Sequence, residues 1–409
     1  MWASRRISAV VAVAATLLIA ACGGQSTNQG SSTLGPGVTK DQITIGLQVD
    51  LTGGGSLVGQ GTKYGVEMAV AEINKHGGVN GRKINLVIED AASTPDGGVL
   101  AVRKLAQQDN VFAIFGGSIS SSTVSALTFI RSGDVPYYAS IPSDPRVLNP
   151  FSKLIFEGAA LPQTTVVPDE VDFLTKTLGG KNIALMVSSD AYAIAAKGLI
   201  VPELEKRGVK VATVQNFNAG DTDFTGQIAA IKKANPDVMM TIALPADGAR
   251  VLVQARRAGI NIPMVGDSAQ ADNQTIRLAG TVSEGYYTFW FSSPQFIDDR
   301  TGEMGKWRDA FAAQFPNPPT GVPNQWTLQS YADVYVVAEA LKKCGSTVTR
   351  DNFVKQLETL KDYVGGKPGS SFSYAHPIGL PRTFTATDHQ GSRLLVPVVI
   401  KNGEFKAVT

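Results

Sequence analysis

The run Gly116-Gly117-Ser118-Ile119-Ser120-Ser121-Ser122-Thr123 gathers five hydroxyls behind two glycines. Glycine lets backbone approach a ligand closely, and hydroxyls add donors and acceptors beside free amides. If a helix starts here, its unpaired N–H groups and positive dipole end would solvate a carboxylate. The same serines would serve equally well as helix caps. A second run, Ser140-Ile141-Pro142-Ser143-Asp144-Pro145, is stiffened by its two prolines and suits either a preorganised contact or a plain turn.

Catalytic alternatives find little material. The histidines are His76, His376 and His389, in turn-like contexts, and none has a partner at metal-ligand spacing. Gly59-Gln60-Gly61-Thr62-Lys63-Tyr64-Gly65 is one residue too long for a dinucleotide fingerprint. Asp221-Thr222-Asp223-Phe224-Thr225-Gly226 begins like a calcium loop, but Lys232 stands where the closing Glu belongs, so Asp223 reads better as a helix cap. Gly266-Asp267-Ser268 has no nucleophile elbow around it. No enzyme, cofactor or metal is expected.

These segments need elements to position them, and the alternation from Asp41 onward supplies strands and helices in turn. Strands are expected at 43–47, 84–88, 111–115 and 135–139, with helices ending before Gly77 and across 98–108. The loop Gly53 to Gly61 reads as irregular. The pattern restarts at Pro162 with helices at 162–178, 192–207, 224–234 and 247–258 between strands at 182–187, 210–215, 238–244 and 263–266. Such alternation is that of parallel sheets covered by helices on both faces, so the fold class is α/β with two lobes. Long helices follow at 302–315 and 329–343, and the tail from Phe372 to Val408 alternates like strands. A chain of 409 residues also exceeds what one core usually covers. The lobes are expected at 41–160 plus about 288–372, and at 161–287 plus about 373–409.

The first residues read as targeting. Arg5 and Arg6 precede an apolar run from Val10 to Ala21, too short to span a bilayer and typical of a signal peptide (1–21). Ile19-Ala20-Ala21-Cys22 resembles a bacterial lipobox, which implies a diacylglycerol on Cys22. Residues 22–40 then read as a flexible Gly/Ser/Thr/Asn/Gln tether, reaching about 20–25 Å. Of 37 basic side chains two lie in the targeting segment, which leaves 35 against 35 acidic ones and a neutral mature chain. A neutral surface without a basic cluster gives no reason to expect nucleic acid. Cys344 has no intramolecular partner if Cys22 is acylated, and reads as a half-buried thiol near a helix end.

With these residues in view, the chain resembles the type I periplasmic binding proteins of branched-chain amino acid ABC transporters, over nearly all of Asp41 to Thr409. The carrying motifs are Ile43-Thr44-Ile45-Gly46, Gly65-Val66-Glu67-Met68-Ala69-Val70-Ala71-Glu72-Ile73-Asn74, Gly77-Gly78-Val79-Asn80-Gly81 and Ile88-Glu89-Asp90. Ser120-Ser121-Ser122-Thr123, Asp223-Phe224 and Gln254-Ala255-Arg256-Arg257-Ala258-Gly259 follow in order. The resemblance implies two Rossmann-like lobes joined by three crossovers, closing on a small carboxylate such as a branched-chain amino acid. It places the carboxylate on Ser120, with Ser121 beside it, and near Ile141 and Ser143; Tyr192 would pack over the ligand. The family's acidic partner for the ammonium falls at Ser268, with Asp267 one place earlier. Its tyrosines fall at Val58 and Leu244, which makes this pocket more apolar and leaves carboxylates or amides without an amino group open. The partners implied are permease subunits, with the protein exported and held by lipid at the outer face of the membrane. A ligand sensor for a membrane signalling partner would use the same lobes.

Overall fold

The central strands of both sheets are buried along nearly their whole length. In β1 (Gln42–Val49) every residue after the first is buried, as expected of a central parallel strand covered on both faces. The computed structural model describes residues 33–158, 163–290 and 301–408. The signal segment and Cys22 lie outside the described residues.

In the first lobe β1 is followed by α1 (Ser56–Lys75), β2 (Lys83–Asp90), α2 (Pro95–Gln107), β3 (Ala113–Gly116), α3 (Ser120–Ser132), β4 (Tyr137–Ala139) and β5 (Ile155–Glu157). The five strands are parallel in the order β2-β1-β3-β4-β5. The second lobe holds α4 (Gln163–Asp172), β6 (Asn182–Ser188), α5 (Ala191–Lys206), β7 (Lys210–Phe217), α6 (Thr225–Ala234) and β8 (Val238–Ile242). It continues with α7 (Pro245–Arg257), β9 (Met264–Gly266), α8 (Asn273–Ala279) and β10 (Tyr287–Trp290). Helices α9 (Glu303–Gln314), α10 (Gln325–Lys343) and α11 (Arg350–Leu357) return to the first lobe, where Trp307 and Phe311 of α9 meet Tyr331 and Tyr64. Strands β11 (Val396–Lys401) and β12 (Glu404–Ala407) complete the second sheet, ordered β12-β11-β10-β9-β8-β6-β7, with β11 and β12 antiparallel. The chain therefore passes between lobes three times.

Three expectations need correction. Residues 288–290 belong to the second lobe, because Tyr287 pairs with Val265 of β9 and the strand runs antiparallel to β11. Aromatic side chains suit a pleated surface, so this stretch is regular. Residues 373–391 belong to the first lobe, and most of the tail is not strand: Phe384 packs edge-on to Phe156, and His389 stacks on the same ring at 3.7 Å. Finally, residues 34–40 are not tether. Leu34 bridges Val348, the Gly35 amide donates to the Val348 carbonyl at 2.7 Å, and Val38 bridges Ile43.

Helix α1 starts inside the stretch read as a Gly loop. The reason is close packing: a Cβ on Gly59 would sit 1.8 Å from the Asp50 carbonyl, and one on Gly65 would sit 2.2 Å from the Thr327 carbonyl of α10. These glycines bring α1 against both β1 and α10. Gly59→Ala is expected to lower stability by about 2–3 kcal/mol, read as a shift in denaturant midpoint at unchanged slope. An unchanged midpoint would show that α1 can move away without penalty.

Candidate functional site

Ligands of open α/β sheets sit beyond the carboxyl ends of the strands, where strand order reverses. Both lobes present that edge to one cleft. Beyond β1 and β3 come Val58, Ser118, Ile119, Ser120 and Ser121; beyond β4 come Ile141, Pro142 and Ser143. From the second lobe come Asp190 after β6, Tyr192 in α5, Leu244 after β8, and Ser268 and Ala269 after β9. Trp326, in the first turn of α10, closes one side. The space between is about 580 Å³, open solvent included.

Of the residues expected from sequence, Ser120, Ser121, Ile141, Ser143, Tyr192 and Ser268 all face this cleft. Asp267 does not: it is buried beneath Ser268, where Gln270 Nε2 donates to its Oδ1 at 3.4 Å and Thr288 donates to its carbonyl. Val58 and Leu244 line the wall as apolar residues. Asp190, Ala269 and Trp326 were not singled out, and Ser118 and Ile119 entered only as members of the serine run. Trp326 carries no local sign of its role, since α10 comes from a segment some two hundred residues downstream of the serine run. Asp190 could have been found as the Asp before a helical pattern, and it caps α5 by accepting from the Ala193 amide at 2.9 Å.

The serine run opens α3, but the helix is not capped by its serines. The N-cap is Ile119, which makes no side-chain bond to the helix. Ser118 and Ser122 instead donate to Oδ2 of Asp50, at 2.6 and 3.0 Å, and the Ser93 amide donates to Oδ1 at 2.9 Å. Asp50 is fully buried; burial pushes its carboxyl up, and these donors oppose that. Ser120, 4% exposed, keeps its hydroxyl for the cleft. The Ser140–Ser143 loop is held from below: Ser140 Oγ donates to Asp333 at 2.8 Å, and Gln329 Nε2 donates to the Ser140 carbonyl.

The opposite wall is acidic. Asp267 and Glu170 are buried and Asp190 is half-buried. Burial first, and then Glu170 and Asp190, push Asp267 well above the usual carboxylate range; burial pushes Glu170 up to about 8. Tyr192, whose hydroxyl lies 3.2 Å from Ser268 Oγ, is raised by burial and then by Asp267, Glu170 and Asp190. Among the described residues no Lys, Arg or His lines the cleft. Contacts that bridge the lobes include Gln325 Nε2, which donates to the Ser268 carbonyl at 3.4 Å, and Trp326, which lies beside the Asp272 carboxyl and favours its charged form.

Cys344 and Asp223 also have definite places in the fold. Cys344 is a buried thiol at the end of α10, pushed up to about 12 by burial. Asp223 lies one residue before the N-cap of α6, accepting from the Thr225 amide and hydroxyl. No group of His, Cys, Asp and Glu among the described residues could hold a metal, and no described helix is long and apolar enough to cross a membrane.

Comparison with known proteins agrees with this architecture. The leucine-, isoleucine-, valine-, threonine- and alanine-binding protein of Pseudomonas aeruginosa is 28% identical over 305 residues, covering 75% of this chain and 79% of the relative. The branched-chain amino acid transporter substrate-binding protein of Streptococcus pneumoniae, solved with isoleucine, superposes with a TM-score of 0.76 at 20% identity, covering 90% and 99% of the two chains. A fatty acid ABC transporter substrate-binding protein of Thermomonospora curvata gives 0.77 at 21%, covering 92% and 94%. The family model for periplasmic binding protein matches residues 42–404, so this chain, with two α/β lobes around an acid-backed cleft, belongs to the periplasmic binding proteins.

Proposed function

We propose that this protein is the receptor of an ABC importer, exported and held by lipid on Cys22, which closes on a small solute with a compact apolar body. The observation that carries this reading is the cleft itself: hydroxyls and helix amides on one lobe, Tyr192 and Ser268 on the other, and Val58, Ile119, Ile141, Leu244 and Trp326 between them. A solute touching both walls binds the closed form better than the open one, and its differential affinity drives closure. The bridges from Gln325 and Trp326 to the second lobe would form with that closure. Permease subunits would then recognise the closed form, and no chemical step is required of this chain.

A thermal-shift screen of the purified protein tests this, with neutral amino acids, aliphatic and aromatic carboxylates, and amides as probes. A ligand at 100 times its dissociation constant adds about 2.7 kcal/mol, a shift of several degrees. Tyr192→Ala is expected to remove the shift while leaving the unliganded melting temperature within a few degrees. No shift across the panel would overturn the receptor reading.

A further inference from the structure

We infer that Asp50 sets the ligand charge accepted at the first-lobe end of the cleft. Its carboxyl takes up the positive end of α3 from behind, so the group seated on Ser120 is an uncharged carbonyl or hydroxyl and not a carboxylate. This rests on the reading of the cleft as a solute site.

The donors at this end are largely spent on Asp50. Ser118 gives its proton to Oδ2 at 2.6 Å, and its oxygen accepts from the Asp50 amide at 2.8 Å, so it has no hydrogen left for a ligand. Ser122 gives its proton to the same oxygen at 3.0 Å. The Ile119 amide, at the mouth of the helix, also favours the charged form of Asp50. What remains are the Ser120 and Ser121 hydroxyls and amides and the Ser143 hydroxyl, enough to satisfy a carbonyl but without a cation to pair with an anion. A helix end favours one negative charge nearby, and here the protein supplies it. A second carboxylate just above would meet like-charge repulsion in a largely desolvated site. The far wall offers no relief, because Asp190 lines it and, among the described residues, no Lys, Arg or His does. The ligand class that fits is a primary amide or other neutral carbonyl compound on a compact branched or aromatic body. An amine at its other end is compatible with the acidic wall.

Calorimetry with four compounds on one skeleton decides the matter: leucine, leucinamide, 4-methylpentanoate and 4-methylpentanamide. Each amide is expected to bind the wild type at least about tenfold tighter than its carboxylate. Asp50→Asn keeps the side chain's size and removes its charge. It is expected to improve the carboxylates about tenfold while the amides stay within about threefold, a change in preference that a purely structural role would not produce. Carboxylates bound more tightly than amides by the wild type, or a preference unmoved in Asp50→Asn, would overturn the role of Asp50 and leave the receptor reading standing. Silence toward all four would overturn the reading of the cleft itself. Should the Asn variant fail to fold, the wild-type preference decides alone.

Discussion

Arg382→Met should lower stability by about 3–5 kcal/mol, because it strands a buried carboxylate. Arg382 and Asp333 are 1% and 0% exposed in their side chains, and the guanidinium donates to Asp333 Oδ1 through Nε at 3.0 Å and Nη2 at 2.8 Å. Asp333 also accepts from Ser140 at 2.8 Å and from Tyr138 at 3.3 Å. Burial pushes its carboxyl up and Arg382 is the largest influence against this, so removing the arginine leaves only Ser140 and Tyr138 to oppose burial. The double variant Arg382→Met with Asp333→Leu should recover most of the loss, since an apolar pair needs no compensation. Denaturant midpoints of the three variants check this, and a double variant no better than Arg382→Met would refute it. The pair also sits under the ligand site and the first crossover, because a Cβ on Gly158 would meet Asp333 Oδ2 at 2.2 Å.

A pH-dependent loss of stability is expected from Glu170. Its folded value is pushed up to about 8 from 4.5, by burial first and Asp169 second. Between those values the folded state holds a proton that the unfolded state has released. The stabilisation is therefore complete below pH 4.5 and is lost as pH rises toward 8. Over that window the loss amounts to roughly 4–5 kcal/mol, because each pH unit is worth about 1.4 kcal/mol. Asp272, pushed up to about 6 by burial, adds a smaller slope of the same sign. Urea unfolding at several pH values should show Glu170→Gln losing most of the slope and becoming the more stable protein near pH 8. Parallel curves for the variant and the wild type would refute this.

Helix and strand alternation was legible because it depends on neighbours in sequence. Ile43, Ile45, Leu47 and Val49 announce β1 wherever the rest of the chain goes, and all four are buried. The site was partly legible for the same reason: Ser120, Ser143 and Ser268 each follow a strand, and strand ends line such clefts. The family motifs added Tyr192, in α5 after β6, whose facing could not be read from its own surroundings.

What escaped was what depends on contacts distant in the chain. Gly59 and Gly61 looked like loop residues because glycine disfavours helices, but tertiary contact with Asp50 and Asn324 outweighs propensity there. The lobe boundaries failed where Tyr287–Trp290 pairs with Val396–Val399, a register fixed across more than a hundred residues.

Sequence alone determined the two α/β lobes, the strand ends that bear the hydroxyls, and a composition with a net charge of +2 and three histidines. Tertiary structure decided the charge of the cleft. Asp50 becomes the counter-charge of α3 only because parallel pairing sets β1 beside β3, and Trp326 becomes a wall only because α10 packs on α1. Periodicity reports which face of an element is buried; it carries no information about which buried groups meet.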